Sequence, residues 1–166
     1  IVDLIMGALA DAIPEKVMGD SCGCGYNHVI TTDPDTGTRV VFGESVPGGM
    51  GATALRDGLN VMSSHVTNFR VPTVEATEIE SPMMFLRREF REDASGAGRW
   101  RGGTGQVTAY KVLGETPQLH HTSQKSKSLP QGFFGAGPGD GGRWVINEGV
   151  PEERVLEYAI GDMEVI

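Results

Sequence analysis

Glycine is the feature that most limits how this chain of 166 residues can fold, because 24 of its residues are glycine. That share is about twice the usual ~7%. The glycines concentrate in segments 46–52 (VPGGMGA), 95–105 (SGAGRWRGGTG) and 132–142 (GFFGAGPGDGG), whose spacing and neighbours differ. Glycine weakens helices and strands and favours turns. The sequence therefore predicts irregular connections between short elements, and no repeat architecture.

Short β-prone runs alternate with these glycine segments and with clusters of Pro, Asp and Asn. The predicted strands are Arg39–Phe42, Met83–Arg91, Gly105–Leu113, Leu119–Thr122, Trp144–Asn147 and Arg154–Ile160. Within the second run, alternation predicts that Met84, Leu86 and Phe90 face the core. We therefore predict a single domain over residues 1–166 that consists mostly of strands and loops.

The beginning of the chain carries a helical pattern. Apolar residues recur at helical spacing from Ile1 to Ile13, which indicates an amphipathic helix. Pro14 disfavours helical geometry at the residue before it, so the helix is predicted to end at Ile13. The predicted fold class is α+β, mostly β strands and glycine-rich loops with one N-terminal amphipathic helix.

Charge and hydropathy narrow the possible partners. The chain carries 22 acidic and 14 basic residues, a net charge of −8, and such a chain repels nucleic acids and anionic membranes. No apolar run approaches the roughly 20 residues of a membrane span, and no secretory signal pattern opens the chain. These features predict a cytoplasmic protein with neither a nucleic-acid nor a membrane partner.

Cysteines and histidines offer little for a metal site. Cys22 and Cys24 flank a single glycine, a spacing that rarely meets disulfide geometry, so they are predicted to be free thiols. A reactive thiol pair is the alternative. His120 and His121 are neighbours in a predicted strand, so their rings point to opposite faces, and His28 falls in a predicted loop. We predict no metal ligands in this chain.

The segment SGAGRWRGGTG allows three interpretations. Its backbone N–H groups, together with Arg99 and Arg101, could bind a phosphate. Its Arg-Trp-Arg-Gly-Gly run could instead stack nucleic-acid bases. Its order matches neither the P-loop nor the dinucleotide fingerprint. The residues favour the third interpretation, a tight loop between two strands with glycines at positive φ and Trp100 packed over the edge of the core.

A second cluster of polar residues follows the RDG run at 56–58. In the segment 63–78 (SSHVTNFRVPTVEATE), a histidine, an amide and a carboxylate lie close together in sequence. His65 could act as an acid or base and Asn68 as a hydrogen-bond donor to a substrate. The alternative is a surface loop in which Thr67 and Asn68 bond their own backbone.

Taken in order, these segments carry a family resemblance. The succession of IVDLIMGALA, SCGCGYNHV, GGMGATALRDG, SSHVTN, PTVEATE, SGAGRWRGGTG and GFFGAGPGDGG resembles the hydantoinase B/oxoprolinase family over nearly the whole chain. Two departures concern local detail. The family commonly has a Ser-Glu-Arg-Arg-like run where this chain reads LHHTSQKSK, and small polar residues where it has Cys22 and Cys24.

The resemblance implies ATP-dependent chemistry shared between subunits. A hydantoinase A-like partner, which holds ATP and Mg²⁺, would phosphorylate an oxygen of a cyclic amide or a ketone. The B-type subunit would then complete hydrolysis, or carboxylation as in the acetone and acetophenone carboxylases. The divalent metal of the B-type subunit is implied to lie upstream, so this chain would correspond to the C-terminal portion of that subunit and hold no cofactor. A non-catalytic scaffold subunit is the alternative from another class.

Residue chemistry and the resemblance together define the predicted site. His65 and Asn68 are predicted to be catalytic. The residues predicted to face a substrate or an anion are Arg56, Asp57, Thr67, Glu75, Arg99 and Arg101.

Overall fold

The computed structural model describes residues 1–23, 25–156 and 160–165, with side chains up to residue 156. In chain order, the elements are α1 (Val2–Leu9), β1 (Gly25–Thr32), β2 (Arg39–Ser45), α2 (Val74–Glu80), β3 (Met83–Phe90), β4 (Gln106–Val112), β5 (Glu115–Ser123), β6 (Trp144–Ile146), β7 (Arg154–Leu156) and β8 (Ile160–Val165). Strands dominate this set, and the predicted α+β class is confirmed.

The strands form one larger sheet and two small ones. The larger sheet has the order β2-β1-β5-β8, while β3 pairs with β4 and β6 pairs with β7. All of these pairings are antiparallel. Val29, Phe42 and Leu119 of the larger sheet form one buried cluster with Met83 of β3 and Ile146 of β6. The core therefore lies between the four-stranded sheet and the two small sheets.

Strand β1 has no clear signal in the sequence, and the expectation that His28 lies in a loop is wrong. The strand pairs with β2 on one side and β5 on the other. Its inward positions Asn27, Val29 and Thr31 are buried, and two of the three are polar. The neighbouring strands supply the hydrogen bonds of this backbone, so low intrinsic β-propensity does not prevent pairing.

The predicted core face of β3 is also wrong. Met84 is 40% exposed, while Leu86 and Phe90 are each 63% exposed, whereas Met83 is only 2% exposed. A register irregularity follows Phe85 in the pairing with β4. The alternation is therefore one residue out of phase with the prediction from the start of the strand, where Met83 and Phe85 face the core, and the irregularity interrupts it further along.

Both helices differ from the prediction: α1 ends earlier than expected, and the prediction does not include α2. Helix α1 ends at Leu9, and the chain continues in turns to Ile13, whose N–H donates to the Leu9 carbonyl at 3.0 Å. Helix α2 falls in the segment expected to be a loop. Thr73 caps it by accepting a hydrogen bond from the Ala76 N–H at 3.3 Å, and Glu75 lies in its first turn. This cap is a start signal that can be read from sequence.

Within the described ranges, neither helix has the length and apolar character needed to cross a membrane.

Candidate functional site

A cleft of about 490 Å³ lies beside the long connection between β2 and α2. Four of the eight predicted site residues line it: Arg56, Asp57, His65 and Asn68. Its apolar lining comes from Met18, Met50, Leu59, Met62 and Phe69. A small-molecule site typically combines such an apolar wall with a few polar groups, so this cleft is the candidate site.

Backbone hydrogen bonds from the loop 95–105 hold one wall of the cleft in place. The Gly103 N–H donates to the Met50 carbonyl, and the Gly58 N–H donates to the Arg101 carbonyl, each at 2.8 Å. The carboxylate of Asp57 accepts a hydrogen bond from the Arg101 N–H at 2.7 Å. The wall therefore depends on close backbone contact between two irregular segments.

The predicted loop between β3 and β4 is confirmed, but the prediction that its glycines have positive φ is wrong. Glycine is needed at these positions because the backbone of other segments comes too close for a side chain. A Cβ atom on Gly103 would lie 2.1 Å from the carbonyl oxygen of Leu59, and one on Gly58 would lie 2.0 Å from that of Met50. None of the glycines of this fully described loop has a positive φ. Trp100 lies against the same wall and donates from Nε1 to the Ala54 carbonyl at 2.9 Å.

We expect Gly103→Ala to lower the free energy of unfolding by about 1–3 kcal/mol, because the added methyl group meets backbone that cannot rotate away. Gly142→Ala is the matched control, since a Cβ there has no neighbour within 4 Å. The control should stay within about 0.5 kcal/mol of the parent. Chemical denaturation measures both, and equal stability of the two variants would show that the close approach is unimportant.

His65 occupies a defined position between the cleft and helix α1. Its side chain is 12% exposed, and its Nδ1 lies 3.6 Å from Oδ1 of Asp3. Its Nε2 lies 3.1 Å from the sulfur of Met18, a residue of the cleft lining. One edge of the imidazole thus faces a carboxylate while the other faces the cleft wall, an arrangement suited to proton transfer.

Asp3 is a site residue that the sequence does not reveal. Its carboxylate accepts hydrogen bonds from the backbone N–H of Ser21 at 3.1 Å and from the Ser21 hydroxyl at 3.2 Å. The ammonium group of Lys125 lies 3.6 Å away. These contacts fix the carboxylate beside His65. No local pattern could indicate them, because the four residues come from distant parts of the chain.

The other predicted residues do not line the cleft. Thr67 bonds within its own loop, because its N–H donates to the Ser64 carbonyl at 3.1 Å and the two hydroxyl oxygens are 2.8 Å apart. Glu75 belongs to α2. Arg99 has its guanidinium 6.0 Å from the ring centroid of Trp100. Arg101 contacts the cleft wall through its backbone, and the residue is exposed.

Asn68 has a left-handed backbone with φ 41°, which asparagine tolerates better than most residues. The residue is exposed and belongs to the cleft lining. The loop therefore presents Asn68 at the cleft through an uncommon backbone conformation. That geometry is compatible with the predicted donor role.

Two arginines of the cleft are available to a ligand. Within the described part of the chain, the side chains of Arg56 and Arg70 form no hydrogen bond or ion pair. By contrast, Arg87, Arg88 and Arg91 each pair with a carboxylate. Arg70 is absent from the set predicted from sequence. Two uncommitted guanidinium groups beside an apolar wall suit a small anionic molecule.

The described residues contain no group of three or more His, Cys, Asp or Glu side chains arranged to hold a metal ion. The opposite orientation of His120 and His121 is confirmed, because His121 is 2% exposed on the inward face while the His120 ring stacks on His28. Cys22 accepts a hydrogen bond from the Gly48 N–H at 3.1 Å, and Cys24 lies outside the described residues.

Comparison with known proteins assigns the family. The family model for hydantoinase B/oxoprolinase matches residues 1–164. The chain belongs to this family. The cleft, its supporting glycine loop and helix α1 all fall inside the matched range, so the hydantoinase B/oxoprolinase assignment covers the whole candidate site.

Relatives of the chain are much longer than the chain itself. It is 33% identical to an uncharacterised protein of Methanocaldococcus jannaschii over 90% of the chain and 26% of that protein. It is 26% identical to a protein of Pseudomonas sp. named as the B-type subunit of a D-/L-hydantoinase, over 93% of the chain and 26% of that protein. The chain thus spans about a quarter of the length of these two relatives.

A solved structure shares the fold. The nucleotide-free structure of acetone carboxylase, an enzyme of ATP-dependent acetone carboxylation, superposes with a TM-score of 0.59 at 17% identity. The match covers 81% of this chain and 18% of the carboxylase chain. The likeness shows that the same arrangement of strands and loops occurs within a larger enzyme.

Proposed function

We propose that this chain forms part of the B-type subunit of an ATP-dependent amidohydrolase and supplies one wall of its substrate cleft. The observation that carries the proposal is the cleft itself, which gathers His65, Asn68 and two uncommitted arginines in a chain of the hydantoinase B/oxoprolinase family. The Pseudomonas relative, which is named as one subunit of a hydantoinase, supports a multi-subunit enzyme.

In the proposed reaction, the substrate is a cyclic amide that becomes anionic when a partner subunit phosphorylates its oxygen. ATP and Mg²⁺ belong to that hydantoinase A-like partner, and a divalent metal belongs to the rest of the B-type subunit. The role of this chain is to bind and orient. Arg56 and Arg70 hold the anionic group, while the apolar wall packs against the ring and limits the access of water.

His65 is proposed to move the proton during ring opening. Asp3 lies beside Nδ1 and orients the imidazole, so Nε2, which lies against Met18 of the cleft lining, is the nitrogen that exchanges a proton with a group in the cleft. Asn68 is proposed to donate a hydrogen bond to the phosphorylated oxygen, on which negative charge develops as its bond to carbon breaks and phosphate leaves. His65 and Asn68 both line the cleft, and Asp3 contacts His65.

Reconstitution of the complete enzyme tests the proposal. Native mass spectrometry of the purified assembly, with peptide mapping, should find this sequence together with an ATP-binding subunit and with the remaining part of a B-type subunit. A cyclic amide should then stimulate ATP hydrolysis without added bicarbonate. An assembly that contains neither component would contradict the proposal and favour a scaffold or binding role.

Carboxylation is the second candidate reaction, and the fold shared with acetone carboxylase is the observation that brings it into consideration. The same cleft could take a phosphorylated enol in place of a phosphorylated amide. In that case ATP turnover with a ketone would require bicarbonate. The bicarbonate dependence of the reconstituted enzyme therefore distinguishes the two reactions.

A further inference from the structure

Two imidazoles face each other on the outer face of the four-stranded sheet, away from the cleft. His28 on β1 is directly paired with His120 on β5. Their rings stack with centroids 5.7 Å apart and an interplanar angle of 24°. The neighbouring residues Asn27 and His121 point inward and are buried. The histidine pair thus belongs to the face that does not pack against the core.

Gly43 shapes the space around this pair. It is the β2 partner of His28, and a Cβ atom on it would lie 2.9 Å from Cδ2 and 3.3 Å from Nε2 of the His28 ring. The ring therefore leans over the glycine with its Cδ2–Nε2 edge. The missing side chain at Gly43 leaves room for the His28 ring, whose other neighbour across the sheet is the His120 ring.

Neutral imidazole nitrogens are among the preferred protein ligands of Zn²⁺, Ni²⁺ and Cu²⁺. Two of them on adjacent strands of one sheet are held at a nearly fixed separation, and rotation about the broad χ2 torsion adjusts the distance between the nitrogens. From this geometry we infer that His28 and His120 form a bidentate site for a divalent transition-metal ion. Water or a group from another molecule completes the coordination.

This inference is independent of the proposed function, which uses no metal ligand from this chain. It also replaces the prediction made from sequence that the chain holds none. That prediction places His28 in a loop without a partner, whereas β1 and β5 bring His28 and His120 together.

The test is calorimetric titration of the full chain, free of any affinity tag, with ZnCl₂ and separately with NiCl₂ and MnCl₂. We expect one ion per chain, with Ni²⁺ bound more tightly than Mn²⁺ because imidazole sites follow the usual order of divalent metals. His28→Gln and His120→Gln should each weaken Zn²⁺ binding at least tenfold. His65→Gln is the matched control, since it removes a histidine from the cleft and should retain the affinity.

Thermal unfolding separates loss of the site from loss of the fold. Zinc should raise the unfolding temperature of the parent and of His65→Gln, because an ion that binds the native state stabilises it. Zinc should not change the unfolding temperature of His28→Gln or His120→Gln. Without metal, both variants should unfold near the parent temperature. If both glutamine variants keep the parent affinity for Zn²⁺, or if Cys22→Ser abolishes binding instead, the inferred site is wrong.

Discussion

Replacing Arg88 with methionine should lower the free energy of unfolding by about 3–5 kcal/mol at neutral pH, because the substitution leaves a buried carboxylate without its counter-ion. The Glu44 side chain is 1% exposed and that of Arg88 is 19% exposed. The Arg88 guanidinium donates to Glu44 and, at 2.9 Å, to the carbonyl of Pro72. It also lies 4.5 Å from the ring centroid of Phe85, so one side chain joins the four-stranded sheet and the β3–β4 sheet to the start of α2.

The loss of stability in Arg88→Met should increase with pH. Burial raises the pKa of the Glu44 carboxyl group, and Arg88 offsets part of that rise. Between the pKa of the unfolded state and the raised pKa of the native state, the native state binds more protons, so stability falls as the pH rises through that interval. Without Arg88 the interval extends to higher pH. Chemical denaturation should show a larger loss at about pH 8 than at about pH 5.

The double variant Glu44→Met/Arg88→Met is the control for this pair. Replacing both charges with apolar side chains of similar length removes the buried carboxylate together with its partner, and such replacements are often neutral or stabilising. We therefore expect the double variant to recover most of the stability lost in Arg88→Met and to lose the pH dependence. If the double variant is as unstable as Arg88→Met, the lost stability comes from the contacts of Arg88 with Pro72 and Phe85.

The same network shows why part of the fold could not be predicted from sequence. The backbone N–H of Glu44 donates to Asn27 Oδ1 at 3.2 Å, and the Asn27 amide donates to the hydroxyl of Tyr110. These bonds allow a polar residue at an inward position of β1. Burial raises the pKa of Tyr110, which keeps its hydroxyl neutral. A strand whose core positions are polar has no apolar alternation, so only its partners in space reveal it.

The strands that the sequence does predict differ from β1 in having their own local pattern. Arg39–Phe42 and Gly105–Leu113 are rich in β-branched and aromatic residues, and both fall on observed strands. The candidate site divides in the same way. His65 and Asn68 lie close in sequence and can be paired by inspection, whereas Asp3 joins them only through the fold. Arg70 lies two residues after Asn68, but only the structure shows that it lines the cleft. The structure thus brings four of the eight predicted residues to the cleft, while local patterns do not reveal the carboxylate of Asp3 beside His65.

Replacing His65 with alanine should lower the turnover of the reconstituted enzyme roughly 10²-fold, the scale of a lost acid or base. Folding should be little affected, because Asp3 keeps its bonds to Ser21 and its ion pair with Lys125 when the imidazole is removed. Asn68→Ala should cause a loss of similar size if its amide stabilises charge in the transition state. Steady-state kinetics with saturating ATP measures both variants.

A neighbouring variant distinguishes this role from a structural one. Val66 is 80% exposed, adjoins His65 and does not line the cleft, so Val66→Ala should leave turnover unchanged. A scaffold subunit predicts instead that His65→Ala and Asn68→Ala also stay within about threefold of the parent, well short of a lost acid or base. That result, obtained with variants that unfold at the parent temperature and still assemble, would show that His65 and Asn68 have no catalytic role. A large loss confined to the cleft variants would place proton transfer at His65, because the control changes the adjacent residue of the same loop without touching the cleft lining.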